Sequence, residues 1–421
     1  MRKKKIWIMN HYATSMYKDK AGRHYWFAKA LEDRGYDVTV FCASTFLNSD
    51  EKIDLYGKRL RVIRDGKTPF VIVKTPSYQG NGLQRIKNMV AFFMNLFPAT
   101  KQYEMKHGKP DVILASSVHP LTLVAGILIA RRYKVPCICE IRDLWPEAIF
   151  AFGKAKENSL LGKILIAGEH WIYKNADELI FTKEGDTDYL KERKWTIAQG
   201  GNIDLKKCHY INNGVNIKAF EESIKKEILQ DDDLEQENKF NVTYAGMLRP
   251  VNNVGQLLDV AKILKEEKDI QFLIYGTGSQ FEELQQRIKK ERIENVRLKG
   301  FVERRYIPYV LSKSSVNILN YSQSQYNWSR GNSSNKLFEY MASGKPVIST
   351  VKMGYDIIDR YQCGKSIKNC NAESLAEAIL EIKNLSEEEY EQYSKNALNA
   401  AKQFDFEVLT DKLEQVIERC N

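Results

Sequence analysis

The chain has 421 residues, of which 43% are hydrophobic and 28% are charged, with a formal net charge of +10. This is the composition of a globular protein, and the length predicts two domains of about 200 residues each. The positive charge favours phosphate-rich partners such as nucleotides or an anionic membrane surface. Nucleic acid is not expected as a partner, because the sequence has no zinc-finger spacing, basic zipper or RNP pattern.

The basic N-terminus is followed by a short apolar run at residues 6–9, which predicts a first strand and is too short for a signal sequence. The longest apolar runs, 89–99 and 118–130, fall short of the roughly 20 residues that span a bilayer. Seven scattered cysteines without a Cys-x-x-Cys pair are typical of a reduced protein without structural zinc. We therefore expect a cytoplasmic protein that does not cross a membrane.

The first half of the chain alternates β-rich runs with helical stretches. Strands are predicted at residues 5–9, 37–41, 70–74, 111–115, 137–141 and 179–182. Helices are predicted at residues 24–34, 121–133 and 160–175, and a long loop that ends at Gly22 is predicted from residue 10. Such alternation indicates a parallel sheet covered by helices.

The second half repeats this scheme, which predicts a second doubly wound α/β domain. Strands are predicted at residues 241–244, 271–275, 296–298, 316–319, 346–350 and 365–367, and helices at 254–267, 280–290, 305–313 and 335–342. The junction is predicted in the turn-rich segment 211–217, and the acidic run 230–237 as a solvated surface connection. Residues 386–420 are predicted to be helical and highly charged.

The most informative segment of the chain is 331–350, where a small polar loop leads into a short helix and then a strand. Backbone amides at the start of such a helix favour an anion, for example a diphosphate. Lys336 adds a cation one turn in, and Glu339 follows three residues later. A core helix and strand of another α/β protein would explain Leu337 and Val347, but it leaves Lys336 and Glu339 unexplained.

The phrase Ser334-Asn-Lys-Leu-Phe-Glu-Tyr-Met-Ala-Ser-Gly-Lys-Pro-Val347 resembles the nucleotide-sugar site of the family 4 retaining glycosyltransferases. The resemblance implies the GT-B fold, with two facing Rossmann-like doubly wound domains and a C-terminal helix that crosses back to the first. It implies an acceptor-binding domain over 1–205, a nucleotide-sugar-binding domain over 206–400 and the crossing helix over 401–421. In this family the lysine balances charge on the leaving diphosphate and the glutamate holds the ribose.

A second motif, Arg142-Asp-Leu-Trp-Pro-Glu147, follows the strand predicted at 137–141. It looks like a box of the family 4 members that build bacterial surface polysaccharides, especially transferases of L-fucosamine-type sugars. Many other members carry a histidine at this strand end. The resemblance therefore implies catalytic roles for Arg142 and Asp143 and an acceptor contact for Glu147. An aspartate here is also a common N-cap of the next helix, and the sequence leaves that alternative open.

Four further residues of the first half match positions that the family places around the substrates. Gly22 matches the glycine that lets the backbone approach the donor diphosphate, although a helix-start glycine without function is the alternative. His11 and His24 are candidate acceptor contacts, and so is His119, which follows another predicted strand and has a structural role as its alternative.

The second half also carries the family's glycine turn at Gly246. An arginine and a lysine commonly follow that glycine, whereas Met247 and Asn252 stand near those places here. The resemblance then implies that Arg249 substitutes. Further donor contacts are implied in two other loops, at Gly276 and Gly278 and at Val302.

A larger departure lies eight residues before Glu339, where many family members have a sugar-binding glutamate and this chain has Gly331. The donor sugar must then be held by other groups. The candidates are Arg330, Asn332 or backbone amides. The Ser333 and Ser334 amides, together with Lys336, are expected to neutralise the leaving diphosphate.

The run 84–97 places Ile86, Met89, Val90, Phe93 and Phe97 on one face of a predicted helix, with Arg85 and Lys87 beside it. This pattern is typical of helices that lie on anionic lipid. A buried packing helix is the alternative.

Together these features predict a hexosyltransferase that moves a sugar, such as an N-acetylated deoxy-amino sugar of the FucNAc type, from a UDP-sugar to a polyprenyl-diphosphate-linked saccharide. The expected setting is O-antigen or capsule biosynthesis, peripheral on the cytoplasmic face of the inner membrane. No cofactor or metal is expected, because the leaving phosphate itself can take the acceptor proton. The alternatives are a nucleotide-sugar epimerase of the same fold and a non-catalytic nucleotide-sugar-binding subunit.

Overall fold

The computed structural model of the chain describes residues 3–47, 49–80, 82–117, 119–151, 153, 155–236, 238–324, 327–367 and 369–420. The chain divides into a first unit, Met1–Asn212 with Phe406–Asn421, and a second unit, Asn213–Asp405. Each unit has its own sheet and its own hydrophobic core. Both are Rossmann-like α/β units, as the sequence predicts.

The helices and strands of both units are as follows, in chain order. The strands of the first unit are β1 (Lys5–Met9), β2 (Asp37–Ala43), β3 (Leu60–Arg64), β4 (Pro69–Val73), β5 (Val112–Ser116), β6 (Cys137–Ile141), β7 (Glu178–Phe181) and β8 (Cys208–Tyr210). Its helices up to that point are α1 (Ala13–Asp19), α2 (Arg23–Asp33), α3 (Leu83–His107), α4 (Pro120–Tyr133), α5 (Trp145–Ala151), α6 (Leu160–Asn175) and α7 (Asp186–Glu192). The strands of the second unit are β9 (Phe240–Ala245), β10 (Ile270–Tyr275), β11 (Val296–Gly300), β12 (Val316–Leu319), β13 (Val347–Ser349) and β14 (Gly364–Ser366). The remaining helices are α8 (Ile217–Lys226), α9 (Gly255–Ile263), α10 (Phe281–Glu291), α11 (Ile307–Ser312), α12 (Asn335–Ala342), α13 (Ile357–Tyr361), α14 (Ala372–Lys383), α15 (Glu387–Gln403) and α16 (Phe406–Arg419).

The first sheet has the order β3-β4-β2-β1-β5-β6-β7-β8. Its pairs are parallel, except that β3 runs antiparallel to β4. Every residue of β1, β5 and β6 is buried, as expected for strands that have helices on both faces. Helix α16 belongs to this unit, and its Phe406 ring lies 5.5 Å from the Phe27 ring of α2.

The second sheet has the order β11-β10-β9-β12-β13-β14, and its pairs are all parallel. Its core is built from aliphatic and aromatic residues of the strands together with the inner faces of α9 and α14. The order reverses direction between β9 and β12. In parallel sheets, ligands bind at the carboxyl ends of the strands at such a switch point.

Several predicted elements need correction. The predicted loop 10–22 contains helix α1, and β3 and β8 were not predicted. The two missed strands lie at the edges of the sheet. Arg61 and Arg64 interrupt the apolar residues of β3, and β8 has only three residues, so the local pattern of each strand is weak. The predicted terminal helix 386–420 is interrupted around Phe404 and forms α15 and α16.

The acidic run 230–237 is not simply a solvated connection. Lys299 of β11 lies 2.6 Å from the Asp231 carboxylate and also pairs with Asp233, and the Tyr275 hydroxyl donates to Asp231 at 2.9 Å. Leu234 between them is buried. The prediction was wrong for Asp231, Asp233 and Leu234, because it did not anticipate that Lys299 would pair with the two carboxylates. Asp232 and Glu235 are exposed, as predicted, and Glu237 lies outside the described residues.

Helix α3 differs from its predicted lipid-facing stripe at three of the five positions, Met89, Phe93 and Phe97. Met89 is buried, whereas Leu83, Ile86, Val90 and Met94 are exposed. Phe93 and Phe97 are half-buried and pack against the core of the first unit. Across the described part of the chain, no helix is both long enough and apolar enough to cross a membrane.

Candidate active site

Two glycine turns follow neighbouring strands of the second unit. Gly246 comes directly after β9 and Gly276 directly after β10, where its φ is +142°. A Cβ atom on Gly276 would stand 1.8 Å from the Gly246 carbonyl oxygen, and one on Gly278 would stand 2.3 Å from the Leu248 carbonyl oxygen. Only glycine allows the two loops to pack backbone against backbone in this way.

Lys336, in the first turn of α12, reaches over the first of these turns. Its Nζ atom lies 4.7 Å from the Tyr244 ring centroid and 4.6 Å from the Tyr321 ring centroid. The Tyr244 hydroxyl lies 3.3 Å from Nζ, and the Asn252 amide, oriented so that both of its atoms are paired, accepts from Nζ at 3.2 Å. A Cβ atom on Gly246 would approach the Lys336 side chain to 3.0 Å. The amine is therefore held in a fixed place between two aromatic rings.

The charge state of this amine is unusual. Burial, with a further contribution from the Arg249 guanidinium, lowers the pKa of Lys336 to about 7. An amine in this condition holds its proton weakly until an anion is bound beside it.

The loop before α12 is fixed by hydrogen bonds from several directions. The Asn213 amide donates to the Ser333 carbonyl at 2.6 Å, and the Ser334 backbone amide donates to the Asn332 side chain at 2.7 Å. Ser334 is the N-cap of α12, but its side chain does not cap the helix; its hydroxyl accepts from Tyr321 at 2.7 Å. Because the Ser334 side chain does not cap the first-turn amides, this end of the helix suits an anionic ligand.

Glu339 stands one turn further along α12, with 23% of its side chain exposed. Arg304 lies 3.4 Å from one carboxylate oxygen. A carboxylate in this position can accept hydrogen bonds from a pair of adjacent hydroxyls, such as those of a ribose.

The other donor-side residues predicted from the sequence have varied environments. Arg249 is exposed, Val302 and Ser333 are half-buried, and Gly331, Arg330 and Asn332 are buried.

The structure thus brings Lys336 together with Gly246 and Ser334. It adds Tyr244, Tyr321, Asn252 and Arg304, to which the sequence assigned no binding role. Tyr244 and Asn252 flank the predicted glycine turn, but Tyr321 and Arg304 carry no motif of their own.

The pKa of Lys336 leads to a prediction about donor binding and pH. Above pH 7 the free amine loses its proton, whereas a bound diphosphate stabilises the charged form, so binding must take up a proton. We expect the affinity for UDP to fall as the pH rises from 7 to 9, by up to about tenfold per unit. Calorimetry in buffers of different ionisation enthalpy measures both the dissociation constant and the proton uptake. Lys336→Arg is the matched control, because its cation does not titrate in this range; equal pH profiles for both proteins would contradict the prediction.

In the first unit, the predicted acceptor residue His24 belongs to a buried cluster around Glu140 of β6. Glu140 contacts Arg23 Nε at 2.7 Å and His24 Nε2 at 2.9 Å, and it accepts from the Ser116 hydroxyl at 2.7 Å. Burial opposes the carboxylate charge, but Arg23 and His24 hold the pKa of Glu140 well below its usual range. His24 is fully buried, so its contacts are internal and its role as an acceptor contact stays a prediction.

His11 and His119 form a second buried pair. Nδ1 of His11 lies 2.7 Å from Nε2 of His119, and the His11 ring packs 4.5 Å from the Phe92 ring. Burial lowers the pKa of His11 to about 3 and lowers that of His119 well below its usual value. Both rings are therefore neutral at pH 7, with one N–H bridging them.

The second predicted motif lies at the carboxyl edge of the first sheet. Asp143 is exposed and pairs with Lys183 at 3.3 Å, while the Arg142 backbone amide donates to the Ser117 hydroxyl at 2.9 Å. Glu147 is half-buried on α5. Gly22, with φ of +103°, is the N-cap of α2. These four residues are thus at or near the ends of strands or helices, where ligands commonly bind, and their roles stay predictions.

Comparison with known proteins adds two family matches. Residues 225–400 match the model of glycosyl transferases group 1, and residues 23–199 match that of a glycosyl transferase 4-like domain. No curated protein matches the sequence of the chain.

The fold is shared with solved structures over nearly the whole chain. Sucrose-phosphate synthase from Thermosynechococcus elongatus is 17% identical, with a TM-score of 0.70 and 99% of each chain covered. Anabaena Alr3699/HepE in complex with UDP is 14% identical, with a TM-score of 0.66, and 99% of this chain and 100% of that one are covered. WaaG, a glycosyltransferase involved in lipopolysaccharide biosynthesis, is 12% identical, with a TM-score of 0.62 and coverage of 98% and 99%. At these identities the likeness establishes a shared fold.

Proposed function

Because the chain is a glycosyltransferase of the GT-B type, we propose that it transfers a sugar from a UDP-sugar to a polyprenyl-diphosphate-linked saccharide, with retention at the anomeric carbon. The observation that carries the donor side is the Lys336 amine, held between Tyr244 and Tyr321 beside the uncapped start of α12. This arrangement offers a cation and backbone amides to one diphosphate. The nucleotide is assigned as UDP because the similar fold of Alr3699/HepE was solved with UDP and with UDP-glucose.

The proposed reaction breaks the bond between the anomeric carbon and the diphosphate oxygen and forms a bond from that carbon to an acceptor hydroxyl oxygen. Negative charge grows on the leaving oxygen in the transition state, where Lys336 and the α12 amides stabilise it. The leaving phosphate takes the proton of the acceptor hydroxyl, so the products are UDP and the extended saccharide. The proposal assigns no step to a metal ion.

The donor sugar is proposed to be an N-acetylated deoxy-amino sugar of the FucNAc type. Gly331 stands where a sugar-binding glutamate would be expected, and its φ of +98° is one that side chains rarely adopt. A sugar with fewer hydroxyl groups loses less from the absence of that carboxylate. The proposed setting is the assembly of a bacterial surface polysaccharide such as O-antigen or capsule.

A panel of nucleotide sugars tests the proposal. UDP, UDP-glucose, UDP-N-acetylgalactosamine, UDP-N-acetylfucosamine and GDP-mannose are each added to a thermal melt, because a ligand that binds the folded state raises the melting temperature. We expect UDP compounds to stabilise the protein and one of them to be consumed only with a lipid-linked acceptor. Turnover of the nucleotide sugar without acceptor would favour an epimerase, and UDP binding without any turnover a non-catalytic subunit.

Glu339→Gln is predicted to weaken donor binding. If the carboxylate holds the two ribose hydroxyls, its neutralisation costs about 1.5 to 3 kcal/mol, which is roughly 10- to 150-fold in the dissociation constant. Calorimetry with UDP measures the change. Glu377→Gln, on the exposed side of α14, is a control with the same chemical change, and equal affinities for the two variants would remove Glu339 from the site.

Peripheral membrane binding is proposed through the exposed stripe of α3. Leu83, Ile86, Val90 and Met94 form an apolar surface on this helix, and Lys87 beside them is exposed. Apolar burial and attraction to anionic headgroups can act together on such a surface.

We predict that the double substitution Val90→Ser with Met94→Ser releases the protein from anionic vesicles without lowering its melting temperature. Both side chains are exposed, so little packing is lost. Vesicle flotation beside a melting curve measures the two effects, with Ile197→Ser as an exposed apolar control elsewhere in the first unit. Flotation of the double variant equal to that of the wild type would exclude this stripe. Phe93→Ser is unsuitable, because Phe93 packs against the core.

A further inference from the structure

The first unit contains an apolar pocket to which the proposed reaction assigns no role. It has a volume of about 180 Å³ and lies among α4, α5 and α6. The residues that line it from these helices include Leu121, Val124, Trp145, Pro146, Ile164 and Gly168.

The pocket adjoins the edge of the sheet at which ligands are expected. Ser117 and Asp143, which also line it, follow β5 and β6 directly or within two residues. Ligands of parallel sheets bind outside these carboxyl ends. A molecule whose anionic head lies at Lys183, which pairs with Asp143 at 3.3 Å, could therefore place an apolar part in the pocket.

A second acidic residue, Glu169, also lines the pocket, but internal partners occupy its carboxylate. The Tyr173 hydroxyl donates to one oxygen at 2.7 Å and the Tyr189 hydroxyl to the other at 2.6 Å. Because both oxygens already accept a hydrogen bond, Glu169 does not require a polar ligand.

The outer surface of α6 beside the pocket is unusually apolar. Leu160 is 78% exposed and Ile164 is 59% exposed, and Ile164 also lines the pocket. Leu161 is exposed between them. The apolar surface thus continues from the pocket to the outside of the helix, as a site for a chain longer than the pocket requires.

We propose that this pocket binds the isoprenoid tail of the lipid-linked acceptor, next to its phosphate-bearing head. The inference rests on the proposed acceptor class and adds the place where its lipid is recognised. An apolar cavity of about 150 Å³ accommodates a benzene molecule, so the pocket suits one or two five-carbon units, with the remaining tail along Ile164, Leu161 and Leu160.

Gly168 offers a test that fills the pocket with little risk to the fold. A Cβ atom at Gly168 would meet no heavy atom within 4 Å, and the residue lies within α6, where a larger side chain favours the helix. Gly168→Leu is the filling variant and Gly168→Ala the smaller step. Ala167→Leu is the matched control, because Ala167 is exposed on the same helix and does not line the pocket.

Farnesyl phosphate is the probe, and its dissociation constant is measured by calorimetry for the wild type and the three variants. We expect Gly168→Leu to weaken its binding at least tenfold and the other two variants to bind as the wild type does. Dodecyl phosphate, which has a straight chain of similar length, is expected to bind more weakly than farnesyl phosphate. Equal binding of the two probes by the wild type would overturn the isoprenoid assignment, and equal binding of farnesyl phosphate by Gly168→Leu and Ala167→Leu would overturn the pocket itself.

UDP binding is measured on the same samples to separate this inference from the proposed function. If UDP stabilises the protein but farnesyl phosphate binds no more tightly than inorganic diphosphate, the pocket is not the lipid site. The donor-site assignment is then unaffected. If UDP has no effect but farnesyl phosphate binds and Gly168→Leu weakens its binding, the donor-site assignment is wrong. The assignment of the pocket as the lipid site is then supported.

Discussion

Replacing Lys336 by alanine is expected to lower turnover about 100- to 1,000-fold at saturating donor, because the group that balances charge on the leaving diphosphate is removed. The amine lies between two aromatic rings and its pKa is about 7, so the site is built to hold it in place rather than to keep it charged without a ligand. We therefore expect the amine to stabilise the transition state most, because negative charge on the leaving diphosphate grows there. The measurement is the rate of sugar transfer under single-turnover conditions.

Stability provides the control for this variant. A desolvated amine whose pKa is lowered on folding contributes nothing favourable to the folded state as a charge, and between pH 7 and 10 the unfolded chain binds the extra proton. Lys336→Ala is therefore expected to melt within a few degrees of the wild type. Unchanged turnover of a folded Lys336→Ala protein would exclude the lysine from transition-state stabilisation.

Gly276→Ala is expected to destabilise the second unit by about 3 kcal/mol or more and to abolish UDP binding. The new methyl group would stand 1.8 Å from the Gly246 carbonyl oxygen, and the φ of +142° is strained for any side chain. The two loops must separate, which moves Gly246 away from the Lys336 side chain. Urea unfolding measures the free energy, and a UDP titration measures the binding.

Gly255→Ala is the matched control for that substitution. A Cβ atom there would come no closer than 3.4 Å to another heavy atom, the Arg287 Nη1, and Gly255 begins helix α9. This variant is expected to unfold and bind UDP like the wild type. If Gly276→Ala behaved in the same way, the close packing of the two turns would not be needed for the site.

Local sequence was sufficient where an element carries its own boundaries. The bounds predicted for β6 and α12 are those of the structure, since Ser334 and Gly344 mark the two ends of α12. Sequence also led to Lys336 and Gly246, because both lie in motifs. It did not lead to Tyr321 or Arg304, which reach α12 from the ends of other strands. Contacts between side chains of different strand ends depend on the order of the strands in the sheet, and a single sequence does not specify that order.

Burial was the other quantity that sequence could not supply. Glu140 lies in a strand motif beside Arg142 and Asp143, yet its side chain is internal and paired with Arg23 and His24. The alternation of a strand predicts that neighbours face opposite sides, but it does not say which charged residue has a buried partner. Helical periodicity likewise does not say which face of a helix is buried. The prediction therefore placed Met89 on the lipid-facing side of α3, although its side chain is buried.

The two outer strands of the first sheet bear on how copies of the protein behave in concentrated solution. An unpaired strand edge is a template for pairing with another chain, and natural sheets avoid this with charged or very short edge strands. Edge strand β3 carries Arg61 and Arg64, and the opposite edge, β8, has three residues. Like charges would meet if two β3 edges approached each other, and β8 offers too few backbone groups to hold a second chain. The sheet thus carries its own protection against edge-to-edge aggregation.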